Sequence, residues 1–188
     1  MGLMSRIFGK KIEPLEAVAD ELVETSIVCG NAFVNSMAKD NDGKQTSNSA
    51  SNALAANEFL YLFLHFVNRL AYSFGGVSAQ KKLCDRISIQ AVKKMANLAP
   101  TKLREDATFM LQQGVNETER DYAKCKRIFS EGDESPKGTL FWEAAKKISN
   151  VAGGGMDIAN IVMATEMMTN SISTLKLNER MRALARGV

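Results

Sequence analysis

An all-α bundle of five or six helices, with no sheet, is the fold that the sequence predicts, and three observations predict it. Apolar residues recur at helical spacing through most of the 188 positions, the mark of helices that turn one face to a core. Segments alternating apolar and polar residues, as half-buried strands do, are missing throughout. The longest apolar stretch, Glu58–Gly76 (EFLYLFLHFVNRLAYSFGG), carries an apolar arc too wide for an ordinary surface helix. It is expected at the centre, covered on at least two sides. The chain is long enough for one domain with a substantial core. Residues 14–188 are read as that single helical domain and residues 1–13 as a flexible amphipathic terminus.

Hydrophobic residues make up 45% of the chain and charged residues 24%, the balance of a soluble globular protein. The formal net charge of +3 is too small, and the basic residues too scattered, to imply nucleic acid as a partner. Cys29, Cys84 and Cys125 stand far apart, with no C-x-x-C and no Cys/His ligand spacing. That excludes the usual zinc patterns and suits buried, reduced thiols in a cytoplasmic protein. The N-terminus has no continuous apolar core of a secretory signal. The apolar run at 58–76 is interrupted by His65, Asn68 and Arg69 at its middle, where charge is most costly in a bilayer, so it is not a membrane span.

Within residues 2–12, Leu3, Met4, Ile7 and Phe8 lie beside Arg6, Lys10 and Lys11. The pattern suits weak contact with an anionic membrane surface. Gly9 interrupts it, and Arg6 stands where myristoylation requires Ser or Thr. A loosely ordered terminus is the plainer expectation. Pro14 and Glu16 then open a helix in which Leu15, Val18, Leu22, Cys29, Phe33 and Met37 recur at helical spacing as far as Lys39. Residues 40–52, DNDGKQTSNSASN, read as a disordered linker inside the domain.

The central helix follows. Glu58, Tyr61, His65, Asn68, Arg69 and Tyr72 fall on one narrow polar seam. Two readings are open for it. The seam lines a pocket with His65 as base or ligand, or it faces solvent or is satisfied by neighbouring polar groups. Glu58 is about 10 Å from His65 along the axis and out of bonding reach. Tyr61 and Arg69, one turn either side, can reach it.

Gly75-Gly76 stops this helix. The next is expected from Ser78 to Ala99, with Leu83, Ile87, Ala91, Met95 and Leu98 inward. Pro100 ends it, and Thr101 caps a helix extending to Phe129. Its face is Leu103, Ala107, Met110, Gly114, Thr118, Tyr122, Cys125 and Phe129. Gly114 and Thr118 allow a neighbour to approach closely, or the helix breaks at Gly114. Gly132–Gly138 is a loop, and Thr139 caps a short helix with Leu140, Phe141, Ala144, Ala145 and Ile148 inward. Gly153-Gly154-Gly155 has neither the Walker pattern nor a preceding strand, so it reads as a helix joint and not a phosphate loop.

The last helix is expected from Met156 to Leu177 or on to Arg186. Ile158, Ile161, Val162, Met168, Ile172 and Leu175 form its main face. Met156, Met163 and Met167 form a second stripe on the opposite side, suited to core, to a pocket wall or to an association surface.

Three segments, Glu58…His65-x2-Asn68-Arg69, Asn116-Glu117-x2-Arg120-x-Tyr122 and Gly138-Thr139-Leu140-Phe141-Trp142-Glu143, resemble elements of uncharacterised bacterial all-helical proteins. The likeness covers residues 55–145. It implies a bacterial, cytosolic, helical protein and carries no activity with it.

No catalytic or cofactor motif is present, and no cofactor is expected. Association with itself or with a partner protein is the leading expectation, through the polar seam or the methionine stripe. The alternative is a bundle enclosing an apolar ligand such as a lipid or acyl chain, since nine Phe and ten Met can line a cavity. A haem or metal protein using His65 is a remote third. Di-iron bundles need paired Glu-x-x-His motifs, and position 62 is Leu62.

Overall fold

The computed structural model describes residues 15–40, 49–130 and 134–187. The expected amphipathic terminus at 1–13 and linker positions 41–48 lie outside them. The protein is an all-α bundle, with no strand among the described residues. Its helices are α1 (Leu15–Asp40), α2 (Ser49–Ala79), α3 (Asp85–Ala96), α4 (Arg104–Tyr122), α5 (Leu140–Val151), α6 (Ile158–Thr174) and α7 (Leu177–Ala185). None of the described helices is long and apolar enough to cross a membrane. Of the stretch read as a disordered linker over 40–52, the described residues are helical: Asp40 ends α1, and Ser49, Ala50, Ser51 and Asn52 form the first turn of α2.

α2 is the central element, as its wide apolar arc predicts. It contacts α1, α4, α5 and α7, and Phe59, Leu60, Leu62 and Phe63 are fully buried. Against α1, Phe33 meets Phe59 edge to face at 6.5 Å, and Gly30 lets the Ala56 backbone come close. Against α5, Phe66 meets Phe141 at 6.4 Å. Buried apolar residues from all seven helices join one cluster.

Glycine signals place the reversals. Gly76 leaves helical geometry at φ 66°, ψ −162°, which the Gly75-Gly76 stop anticipates. The helix resumes at once and passes through a π turn, Gln80–Cys84, into α3. Gly153 and Gly155, with φ of 92° and 58°, form the joint between α5 and α6. Thr139 caps α5 as read from the sequence, accepting from the Trp142 amide at 3.4 Å.

Three expectations need correction. α4 ends at Tyr122 and not at Phe129, and Phe129 is exposed. Its buried residues are Leu111, Thr118 and Tyr122, while Leu103 and Met110 are exposed, as is Leu98 beyond α3. The helical period holds, but the core-facing arc is narrower than the apolar one. The last helix also breaks, because Lys176 adopts a left-handed conformation (φ 49°) that separates α6 from α7.

Candidate functional site

The polar seam of α2 is neither a solvent face nor a set of free side chains. It is laid along α4. Tyr61 sits on Gly114, where an added Cβ would land on its hydroxyl. His65 and Asn68 both bond Glu119: His65 Nδ1 lies 2.6 Å from Oε2, and Asn68 Nδ2 donates to Oε1 at 2.6 Å. Arg69 Nη2 donates to the Tyr122 carbonyl at 3.0 Å and to the Cys125 carbonyl. Numbers rise together on both sides of the seam, so α2 and α4 run parallel. Arg69 thereby satisfies carbonyls at and beyond the C-terminal end of α4, where a cation is favoured.

The bonding defines the histidine tautomer. Arg69 Nε donates to His65 Nε2 at 2.9 Å, and a guanidinium can only donate. Nε2 is therefore the bare acceptor, and Nδ1 carries the proton that goes to Glu119. His65 is 3% exposed and its ring meets Tyr122 edge-on at 5.5 Å. Both ring nitrogens are engaged, so neither proton abstraction nor iron ligation at His65 proceeds without displacing Arg69 or Glu119. Among the described residues, no group of three His, Cys, Asp or Glu side chains could hold a metal ion.

The other seam residues divide. Tyr61 is buried but does not bond His65; burial first, then Glu58 and Glu117, push its phenol up to about 12. Tyr72, 56% exposed, has left the seam. Glu58 stands apart from the histidine network. Burial raises its carboxyl above the ordinary range, with Lys147 opposing the shift and Asp121 adding to it. Glu58 Oε2 and the Tyr122 hydroxyl are buried without a hydrogen-bond partner among the described residues. Lys147 stacks over the Tyr122 ring at 5.1 Å and bonds Asp121 at 2.8 Å.

The methionine stripe is not one surface. Met156 is exposed, whereas Met163 and Met167 are half-buried and pack against the core. All three cysteines are free thiols. Burial is the main cause that raises each of them, Cys84 to about 12.

Two open clefts flank the seam and share Tyr61 as a wall. One, of about 570 Å³, lies between α2, α3 and α4, with His65, Asn68 and Glu119 in its lining. The other, of about 600 Å³, lies between α1, the start of α2, the end of α3 and the start of α4. Among the described residues, the fifteen that line it include none that is charged. Leu54, Leu98 and Met110 line it while remaining 49%, 63% and 69% exposed. Asn31, Asn52, Asn57 and Ser49 supply neutral polar groups to the same groove, and the buried Asn52 Oδ1 has no partner among the described residues.

Sequence reasoning found α2's half of the seam and missed Glu119 and this groove. Glu119 lies within a stretch read correctly as helical, but nothing local to it points at His65. No protein-family model, curated protein or solved structure matches the chain.

Proposed function

We propose that the protein works by association, seating an apolar, uncharged segment of another polypeptide chain in the groove between α1, α2, α3 and α4. One observation carries this reading: a groove of about 600 Å³ with no charged side chain among the described residues of its wall, whose Leu54, Leu98 and Met110 stay open to solvent. Large apolar side chains left exposed around one concave surface mark an interaction site more often than a bare fold requirement. The groove's amide wall favours a peptide over an acyl chain. Asn31, Asn52 and Asn57 offer donors and acceptors that a polypeptide can pair and a hydrocarbon cannot. Met95 and Met110 add side chains that repack around a partner. A cytoplasmic setting agrees with three free thiols.

Native mass spectrometry tests the reading on the intact chain. The wild type is expected to show a dimer or a stoichiometric complex with a defined partner. Leu98→Glu and Met110→Glu are expected to remain folded, since both sites are exposed, and to release the bound chain because each buries an unpaired charge on docking. A monomer at all concentrations with no bound polypeptide contradicts the proposal. A retained adduct of lipid size, lost in the same variants, supports the apolar-ligand alternative instead.

A further inference from the structure

The second cleft differs from the groove in carrying charge. Glu119 is part of its lining, with a side chain 40% exposed. Its two oxygens are oriented by His65 and Asn68. Both donors are neutral, His65 because Arg69 occupies its Nε2. No lysine or arginine is within ion-pair distance of this carboxylate among the described residues; its one recorded partner of that kind is His65. Glu119 is thus a rigidly held carboxylate facing the cleft, with the Arg69 guanidinium behind it and one imidazole away.

The rest of the lining fits one chemistry. Asp85, on the first turn of α3 directly after the π turn, adds a second carboxylate. Leu64, Ile89, Val92 and Val115 supply apolar wall. Among the described residues, Lys93 is the one lysine or arginine of the lining, and it is solvent-exposed, where its charge is screened. The Cys84 thiol in the same lining is raised by burial first and then by Asp85 and Glu119, which marks negative potential at this spot. π turns recur at functional sites in helices. A concave site with apolar walls and a few oriented polar groups is the usual form of a small-molecule pocket.

We propose that the cleft between α2, α3 and α4 binds a small organic amine, its ammonium group paired with Glu119 and its alkyl part against the wall of α3 and α4. The site is independent of the groove reading, since it uses a different lining apart from Tyr61.

The test is a backbone-amide NMR titration of the full chain with n-hexylammonium at neutral pH, with hexanol and hexanoate as isosteric controls. Saturable shifts confined to the cleft are expected for the ammonium, at least about tenfold tighter than for either control. Glu119→Gln is expected to weaken binding about tenfold or more. Should that variant disturb the seam, as loss of α4 amide signals would reveal, Asp85→Asn at the exposed rim carries the test. It is expected to weaken binding about two- to fivefold without altering the fold. No saturable shift with n-hexylammonium, equal binding of hexanol, or unchanged affinity in both variants overturns the proposal.

Discussion

α1 and α4 both lie against α2, and they are held by different chemistry. α1 is fastened by apolar packing: Val18, Ala19, Leu22 and Phe33 are fully buried, and Gly30 brings two backbones together. α4 has three buried residues in nineteen. It is fastened by the Tyr61–Gly114 contact, by Glu119 bonded to His65 and Asn68, and by Arg69 on the carbonyls at its end. Apolar packing is non-directional, whereas a seam of hydrogen bonds fixes register. The difference explains why the open surfaces lie where they do. A helix that needs little apolar burial leaves clefts on both flanks, and both candidate sites are there.

The two close glycines give the sharpest way to break the comparison. A Cβ on Gly30 would lie 2.5 Å from the Ala56 backbone nitrogen, and backbone cannot give way. Gly30→Ala is expected to destabilise by about 2–3 kcal/mol in denaturant titration, despite the gain in helix propensity. At Gly114 the obstacle is the far end of the Tyr61 side chain. Gly114→Ala is expected to lose about 1 kcal/mol, because the tyrosine can swing and alanine favours the helix. Equal losses would mean that α4 is packed as tightly as α1.

A smaller effect sharpens the polar side. Burial raises the Glu58 carboxyl in the folded protein, so the folded state holds this proton more tightly than the unfolded state. The stability that this provides is present at low pH and is lost as pH rises from the ordinary 4.5 through the folded value. Glu58→Gln cannot ionise and should flatten that decline. At neutral pH it is expected to be more stable than wild type by up to about 1 kcal/mol, read as a higher melting temperature. A variant less stable at neutral pH than at pH 4 relative to wild type would contradict the assignment.

Local signals made much of this architecture legible. Gly75-Gly76, Thr139 and the three glycines at 153–155 act within a few residues of themselves, and each stands where the sequence placed it. The seam was half legible. Its spacing named Tyr61, His65, Asn68 and Arg69, but the period of one helix says only which residues share a face, not which neighbour covers it. Glu119 meets His65 across 54 positions of chain, a register set by how α3 reverses and α4 returns. Leu98 and Met110 failed for the same reason. Both repeat at core spacing, yet both line the open groove and remain exposed, which the spacing within one helix does not encode. Met163 and Met167 lie off the main face of α6, and neighbouring helices still cover them in part.

The central claim is that the polar seam, and not apolar burial, holds α4 in place. Hydrogen exchange resolved by segment in wild type and in Glu119→Ala tests it most directly. Removing the carboxylate leaves the His65 and Asn68 donors unpaired. Protection across 104–122 is then expected to fall by about tenfold or more, while α1 and residues 59–67 of α2 keep theirs. Equal loss in all three helices, or unchanged protection in α4, would contradict the claim.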